Sequence, residues 1–261
     1  IAIIDGDNVL SFLQAEPAAT TFQNMDNGRL FTEINPLAVT ANVYLGAKGI
    51  ADALDAGAQI VITGRVADPS LVVGPCVHHF GWEWDDYDRL AGATIAGHLI
   101  ECGTQVSGGI STNWLEIADV ADIGFPLVEV DRCGSCVVTK PKSTGGLVDD
   151  QTVKEQLVYE IGDPETLLTP DVTVSMTSII VHDLGRDRVK VEGAIGRCPT
   201  TSYKVSATYR NGFRAQGSLT IFGRQAALKA QRAGEAILSK LSISGIGFER
   251  TLVECLGTGD A

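Results

Sequence analysis

The segment Gln59-Ile60-Val61-Ile62-Thr63-Gly64-Arg65-Val66-Ala67-Asp68-Pro69-Ser70 decides how this sequence is interpreted as a fold. Residues 59–63 are rich in β-branched side chains and predict a strand, and the apolar residues of 70–80 predict a helix directly after the loop. Residues 1–15 show the same order of strand, polar turn and helix. Strands that alternate with helices are typical of a parallel sheet with helices on both faces.

The other helical patterns of the first half agree with this arrangement. Apolar residues recur at helical spacing over 42–56, where Gly57 supplies a C-terminal stop, and again over 87–102, which ends at Gly103. We therefore predict the α/β class, with a layered, mostly parallel sheet and helices on both faces, over residues 1–125.

The sequence changes in character after Pro126. A helix is predicted from Thr152, which has the capping-box spacing to Glu155, and a second helix over residues 225–241. Strand-like runs joined by turns occur at residues 127–130, 137–139, 172–180, 188–195, 203–209, 217–222 and 251–255. Residues 126–261 are therefore expected to form an antiparallel α+β portion that packs against the first.

Composition excludes several classes of protein. The 261 residues are 44% hydrophobic and 20% charged, which is ordinary for a soluble globular chain, and no apolar run reaches the roughly 18 residues of a membrane span. The net charge of -12, without clusters of Lys and Arg, argues against nucleic-acid binding. Six sparse cysteines predict reduced thiols and a cytoplasmic protein. The chain opens at Ile1 inside a predicted strand, so we expect that it is N-terminally incomplete.

The first candidate site is the loop that follows the strand of residues 59–63. Ligands bind outside the carboxyl ends of strands in open α/β sheets, and there Arg65 offers a fork for a carboxylate or phosphate. Asp5 and Asp7 follow the first strand and are expected at the same sheet edge, facing a common cleft. The alternatives are that Arg65 and Asp68 merely fix the turn and that Asp7 caps the next helix.

The second candidate lies where the helix of residues 87–102 ends. Glu101 and Gln105 flank a glycine-rich exit, where a carboxylate and an amide can orient a substrate or transfer a proton. The alternative is that Glu101, which can meet His98 three residues away, belongs to a satisfied structural network. Cys102 lies at the negative end of the helix dipole, so we expect a buried and inert thiol.

The third candidate is the segment from Lys140 to Gly146. Lysines, hydroxyls and the pair Gly145 and Gly146 ahead of a helix suit an anionic group, although a plain glycine-rich connection is the alternative. Cys133 and Cys136 form a lone Cys-x-x-Cys without further ligands, which indicates a hairpin turn. We predict no metal site.

Several blocks together resemble the acyclic terpene utilisation family: residues 6–9, 42–47, 63–71, 96–103, 140–146 and 155–164. The resemblance implies a cytoplasmic protein of the breakdown of branched acyclic terpenoids, such as citronellol and geraniol, through acyl-CoA intermediates. Members usually carry a further N-terminal segment with a glycine- and asparagine-rich loop, which agrees with an incomplete chain.

From these residues and this resemblance we expect a catabolic enzyme that acts on a branched or hydroxylated acyl thioester or related acid. The reaction would be hydration, dehydration or hydrolysis, with Glu101 as general acid/base and with Asp68 and Gln105 orienting substrate or water. Arg65 and Lys140 would hold anionic groups, and coenzyme A would enter as part of the substrate. We also expect a homo-oligomer that binds a small anionic molecule, and neither nucleic acid nor membrane. The alternative is a non-catalytic accessory or subunit-assembly protein of the same pathway.

Overall fold

The computed structural model describes residues 1–15 and 22–257 of the chain. Six helices are described: α1 (Leu10–Ala15), α2 (Lys48–Asp55), α3 (Ser70–Phe80), α4 (Tyr87–Ile100), α5 (Asp150–Val158) and α6 (Ala226–Ile243). The described strands are β1 (Ala2–Ile4), β2 (Ala38–Val43), β3 (Val61–Thr63), β4 (Leu127–Val130), β5 (Cys136–Thr139), β6 (Leu167–Leu168), β7 (Thr173–Ser175), β8 (Ile180–Asp183), β9 (Val189–Glu192), β10 (Ile195–Arg197) and β11 (Val205–Tyr209). Across these described residues, no helix is both long and apolar enough to cross a membrane.

The strands form four small sheets. β1 pairs with β3 in parallel, and β2 pairs with β11 antiparallel. The other two sheets are antiparallel, with strand orders β10-β7-β6 and β4-β5-β9-β8. The expected mixture of helices and strands, with antiparallel pairing in the second half, is confirmed. The broad, mostly parallel sheet stays a prediction, because parallel pairing among the described residues is limited to β1 with β3 and one bridge between Leu45 and Val66.

The register of β1 and β3 positions the first candidate site. Ile4 is paired with Thr63, and the Gly64 N–H donates to the Ile4 carbonyl at 2.9 Å. The chain segments that follow the two strands therefore leave the pair at the same edge. This confirms that the residues after Ile4 and after Thr63 share one sheet edge.

Helix α4 lies at the centre of the main core. Six of its apolar side chains are at most 1% exposed: Leu90, Ala91, Ala93, Ile95, Ala96 and Leu99. A helix that is apolar on every side is one that is surrounded, here by α3, α5 and strands of the second half. Gly92 allows the turn between β4 and β5 to pack on the helix, because a Cβ there would lie 2.0 Å from the Gly134 carbonyl oxygen.

Several predicted element boundaries are wrong. The helix expected from Asn42 begins at Lys48, since Asn42 belongs to β2 and is paired with Ser206 across the sheet. Helix α5 begins two residues earlier than expected, because Asp149 rather than Thr152 is its N-cap and accepts the Thr152 N–H at 2.8 Å. The strands expected at residues 217–222 and 251–255 are not formed, and neither run finds a partner strand within the described residues.

Contacts divide the chain into two compact units, Ile1–Arg210 and Asn211–Ala261. Every buried side chain of the described residues lies in the first unit. The described part of the second unit consists of α6 and segments without regular secondary structure, and Gly234 of α6 packs against Val253. The boundary that we expected near residue 125 does not coincide with this division and stays a prediction. Helix α4, which precedes residue 125, shares one buried cluster with β5 and β9, which follow it.

Candidate functional site

A polar cleft opens at the edge where β1 and β3 end. Its volume is about 520 Å³, and its lining residues come from the two strand ends and from the face of β2 and β11 that carries polar side chains. They are Asp7, Thr40, Asn42, Tyr44, Gly64, Arg65 and Ser206. The alternation of the two strands explains this lining, because Ala41 and Ala207 point to the opposite face, where they pack with Leu13 and Phe31.

Asp7 is held in one orientation by two hydrogen bonds. Its Oδ2 accepts the backbone N–H of Arg65 at 2.9 Å and the Nδ2 of Asn42 at 2.7 Å. These two donors hold the pKa of Asp7 below its ordinary value of 3.8, the Arg65 N–H being the larger cause. Asp7 is therefore an ionised carboxylate at neutral pH. Because both bonds fall on Oδ2, the Oδ1 lone pairs remain for a ligand.

The approach of Asp7 to the loop requires glycine at position 64. A Cβ on Gly64 would lie 2.0 Å from the Asp7 Oδ1 and 2.5 Å from its Cγ, which no side chain can tolerate without a shift. The carboxylate thus lies directly against the backbone of the loop that carries Arg65. This contact was not predicted from the sequence, although a glycine at the end of a strand is the local sign of such a close approach.

Two cations flank the ring of Tyr44. The Arg65 Cζ is 4.9 Å and the Lys204 Nζ is 5.2 Å from the ring centroid, both within range of a cation–π interaction. Arg65 Nη1 also lies 3.6 Å from Asp68 Oδ1, so the expected pair is present. The side chains of Arg65 and Asp68 are 40% and 50% exposed, and ion pairs this exposed contribute little to stability. Arg65 is therefore available to a ligand.

Of the first group of predicted residues, Asp7 and Arg65 line the cleft and Asp68 contacts Arg65 beside it. Asp5 is exposed immediately after β1 and is not a lining residue. Lys204 was missed by the sequence analysis, because it stands alone in a strand-like run. It reaches the site only through the ladder in which the Tyr44 N–H donates to the Lys204 carbonyl at 3.0 Å.

Glu101 and Gln105 are not lining residues of the cleft. Glu101 follows α4, and its Oε1 is 3.1 Å from Nδ1 of the buried His98. The end of α4 packs on the first loop, since a Cβ at Gly97 would be 2.7 Å from the Cα of Pro69. This contact is made by Gly97, one helical turn before Glu101. The role of Glu101 and Gln105 in catalysis stays a prediction.

A buried amide accompanies His98. Gln156 on α5 donates its Nε2 to the His98 carbonyl at 3.0 Å. The other two polar atoms of this pair, His98 Nε2 and Gln156 Oε1, are buried and have no hydrogen-bond partner among the described residues. Sequence reasoning missed Gln156, which occupies a buried position of an otherwise ordinary helical pattern.

The third group forms a loop in which the first residue, Lys140, is buried. The Lys140 side chain is 5% exposed, its Nζ donates to the Thr144 carbonyl at 2.8 Å, and it lies 3.3 Å from Asp187 Oδ2. The N–H groups of Gly145 and Gly146 donate to backbone carbonyls of residues 122 and 123. These contacts favour the alternative of a structural connection, so the binding of an anion by Lys140, Gly145 and Gly146 stays a prediction that they do not support.

Asp171 is a buried carboxylate that the sequence analysis did not select. Its Oδ1 accepts the Ala47 N–H at 2.7 Å and its Oδ2 accepts the Ser70 hydroxyl at 2.5 Å. Burial raises the pKa of Asp171, and the two hydrogen bonds oppose that shift. The carboxylate therefore joins the start of α2 to the start of α3, directly behind the loop of residues 63–70.

The cysteines have different environments. Cys102 is partly exposed, so the expectation of a buried thiol is wrong. Cys133 and Cys136 flank the turn between β4 and β5 as predicted, and burial raises the pKa of Cys136 to about 12. They line a second cavity of about 390 Å³ with residues of α4, β9 and β10. Residues 1–15 and 22–257 contain no group of three or more His, Cys, Asp or Glu side chains that could hold a metal ion.

The fold and the cleft define a protein of mixed helices and strands with a polar cleft at the carboxyl ends of two parallel strands. The family model described as acyclic terpene utilisation family protein AtuA matches residues 1–261, which is the whole chain. The chain therefore belongs to the acyclic terpene utilisation family. No curated protein and no solved structure matches it.

Proposed function

We propose that this protein is a catabolic enzyme of the breakdown of branched acyclic terpenoids and that the cleft holds the anionic end of its substrate. The observation that carries the proposal is the fixed, ionised Asp7 carboxylate in the cleft that Arg65 also lines. Arg65 suits a carboxylate or phosphate, and Asp7 Oδ1 accepts a hydrogen bond from a substrate hydroxyl. Family membership supports the pathway.

The reaction that we propose is hydration, dehydration or hydrolysis of an acyl thioester or related acid. Each of these needs a group that gives or takes a proton beside the reacting carbon or water. Asp7 is a weak base because its pKa is lowered, so its suited role is to orient the substrate. We assign proton transfer to Glu101, which follows the last residue of α4, with Asp68 and Gln105 as orienting residues. The substrate would then extend from the cleft across the first loop.

Arg65→Met tests the cleft, and Arg89→Met is its matched control. Arg89 pairs with Asp86 three residues away and is 42% exposed, against 40% for Arg65 and its pair with Asp68, but it does not line the cleft. We expect Arg65→Met to weaken binding of branched acids or their coenzyme A thioesters by about tenfold or more in calorimetry. Arg89→Met should bind like the wild type. Equal affinity in both variants would contradict the proposal.

The same assays separate the enzyme from its alternative, a non-catalytic accessory protein of the pathway. An enzyme turns over at least one of the acids or thioesters whose binding depends on Arg65. Arg65-dependent binding without hydration, dehydration or hydrolysis of any of them would support the accessory protein. A cytoplasmic location and a homo-oligomer are parts of the proposal that fractionation and light scattering test.

A further inference from the structure

Lys204 is a second cation next to the cleft, because its Nζ lies over the ring of the lining residue Tyr44. Within residues 1–15 and 22–257, none of the carboxylates lies within 4.0 Å of its Nζ. Its backbone is fixed by the bond from Tyr44 at one end of the ladder between β2 and β11. An exposed ammonium in a protein of net charge -12 thus lies over the ring that Arg65 also contacts.

The two cations are close enough to bind two anionic groups of one ligand. Arg65 Cζ and Lys204 Nζ lie 4.9 and 5.2 Å from the same ring centroid, which places the two charges at most about 10 Å apart. A single carboxylate is satisfied by the guanidinium fork alone. The lysine ammonium is a compact point charge suited to a phosphate oxygen, and its long, flexible side chain can adjust to the position of a second anionic group.

The lining of the cleft also indicates a hydrophilic ligand. Hydroxyls of Thr40, Tyr44 and Ser206 and the amide of Asn42 face it, and none of its lining residues is aliphatic. A branched hydrocarbon chain would find only the Tyr44 ring to contact. Asp7 would repel an anion in direct contact with it. Its Oδ1 can instead accept a hydrogen bond from a hydroxyl of a sugar or of the chain, next to the anionic groups.

We propose that Arg65 and Lys204 bind two phosphate groups of one ligand, so that the cleft recognises the phosphorylated part of its substrate and not the hydrocarbon chain. This inference rests on the proposed function, because it concerns the same cleft and names the chemistry of the anionic end. It is consistent with a nucleotide-bearing thioester whose acyl part reaches toward Glu101. A free diphosphate offers the same two charges, so the test separates the two sources.

The test compares wild type, Lys204→Met and Lys142→Met by calorimetry. Lys142 is also exposed and has no carboxylate within 4.0 Å among the described residues, and it lies outside the cleft. The probes are adenosine 3′,5′-bisphosphate, adenosine 5′-monophosphate and inorganic diphosphate. We expect the wild type to prefer the bisphosphate to the monophosphate by about fivefold or more, and Lys204→Met to abolish this preference. Lys142→Met should keep it.

Each outcome has a definite meaning. A preference lost only in Lys204→Met supports the two-phosphate site, and inorganic diphosphate that binds as tightly as the bisphosphate then identifies a free diphosphate as the ligand. Equal affinity for the two nucleotides, or a preference unchanged by Lys204→Met, overturns the inference. If acids or thioesters still bind in an Arg65-dependent way, the proposed function survives that failure. If the phosphates bind through Lys204 but no acid or thioester binds, the proposed function fails alone.

Discussion

Asp7 illustrates how one residue of the cleft depends on its neighbours. Its carboxylate is fixed by Asn42 and by the Arg65 N–H, and Gly64 leaves room for it. A carboxylate whose position is fixed before a ligand arrives loses less freedom on binding than a mobile one. This preorganisation is the reason why Asp7 and not Asp5, which is exposed beyond β1, is the acid that we assign to the cleft.

The lowered pKa of Asp7 predicts a pH-dependent stability. Because the folded pKa lies below the ordinary value of 3.8, ionised Asp7 stabilises the fold above that pH, and the contribution is lost as the pH falls through the folded pKa. Asp7→Asn should therefore lower the free energy of unfolding in urea at pH 7, and the difference from wild type should shrink below about pH 4. Asp5→Asn, at an exposed position outside the cleft, is the control. A difference that is the same at every pH would contradict the role of the charge.

At the scale of elements, Asp171 fixes the start of α2 and the start of α3 in one place. Without its carboxylate, the Ala47 N–H and the buried Ser70 hydroxyl would both lose their acceptor. An unsatisfied buried group costs about 1–3 kcal/mol, so we expect Asp171→Ala to lower the free energy of unfolding by about 2–4 kcal/mol. Asp149→Ala removes a single cap from α5 and should cost about 1 kcal/mol. Urea unfolding of both variants measures these free energies. Equal losses for the two variants would argue against the role of Asp171 as acceptor for both α2 and α3.

The elements also show which features of the fold and site a sequence can predict. Residues 59–70 encode strand, loop and helix locally, and the rule that parallel strands end at one edge then brings Asp7 toward Arg65. Asp171 is positioned by its contact with Ala47, 124 residues away, and Lys204 by its contact with Tyr44. No local pattern of the sequence encodes either contact. Asn42 has apolar neighbours at helical spacing, but its pairing with Ser206 makes it part of a strand. Tertiary pairing thus decides between two local patterns of similar strength.

At the scale of the whole molecule, the two units differ in how many side chains they bury. Both buried clusters lie within Ile1–Arg210, and the described residues of the second unit, from Asn211 onward, have no buried side chain. Helix α6 likewise has none, although it is 18 residues long. Since burial of apolar surface supplies most of the stability of a fold, the first unit holds the main source of stability among the described residues.

This inequality predicts that the chain can be shortened after Arg210. A protein of residues 1–210 keeps every residue that lines the cleft, and it keeps β11, so it should unfold cooperatively with a melting temperature within a few degrees of the full chain. Calorimetry and the phosphate-binding assay measure both properties. A protein of residues 1–202 is the matched control, because it also lacks Lys204 and β11. It exposes Ala41, which packs with Val205 and Ala207, so we expect it to lose both cooperative unfolding and binding. If the longer truncation product failed in the same way, residues 211–261 would have to contribute to the stability of the first unit.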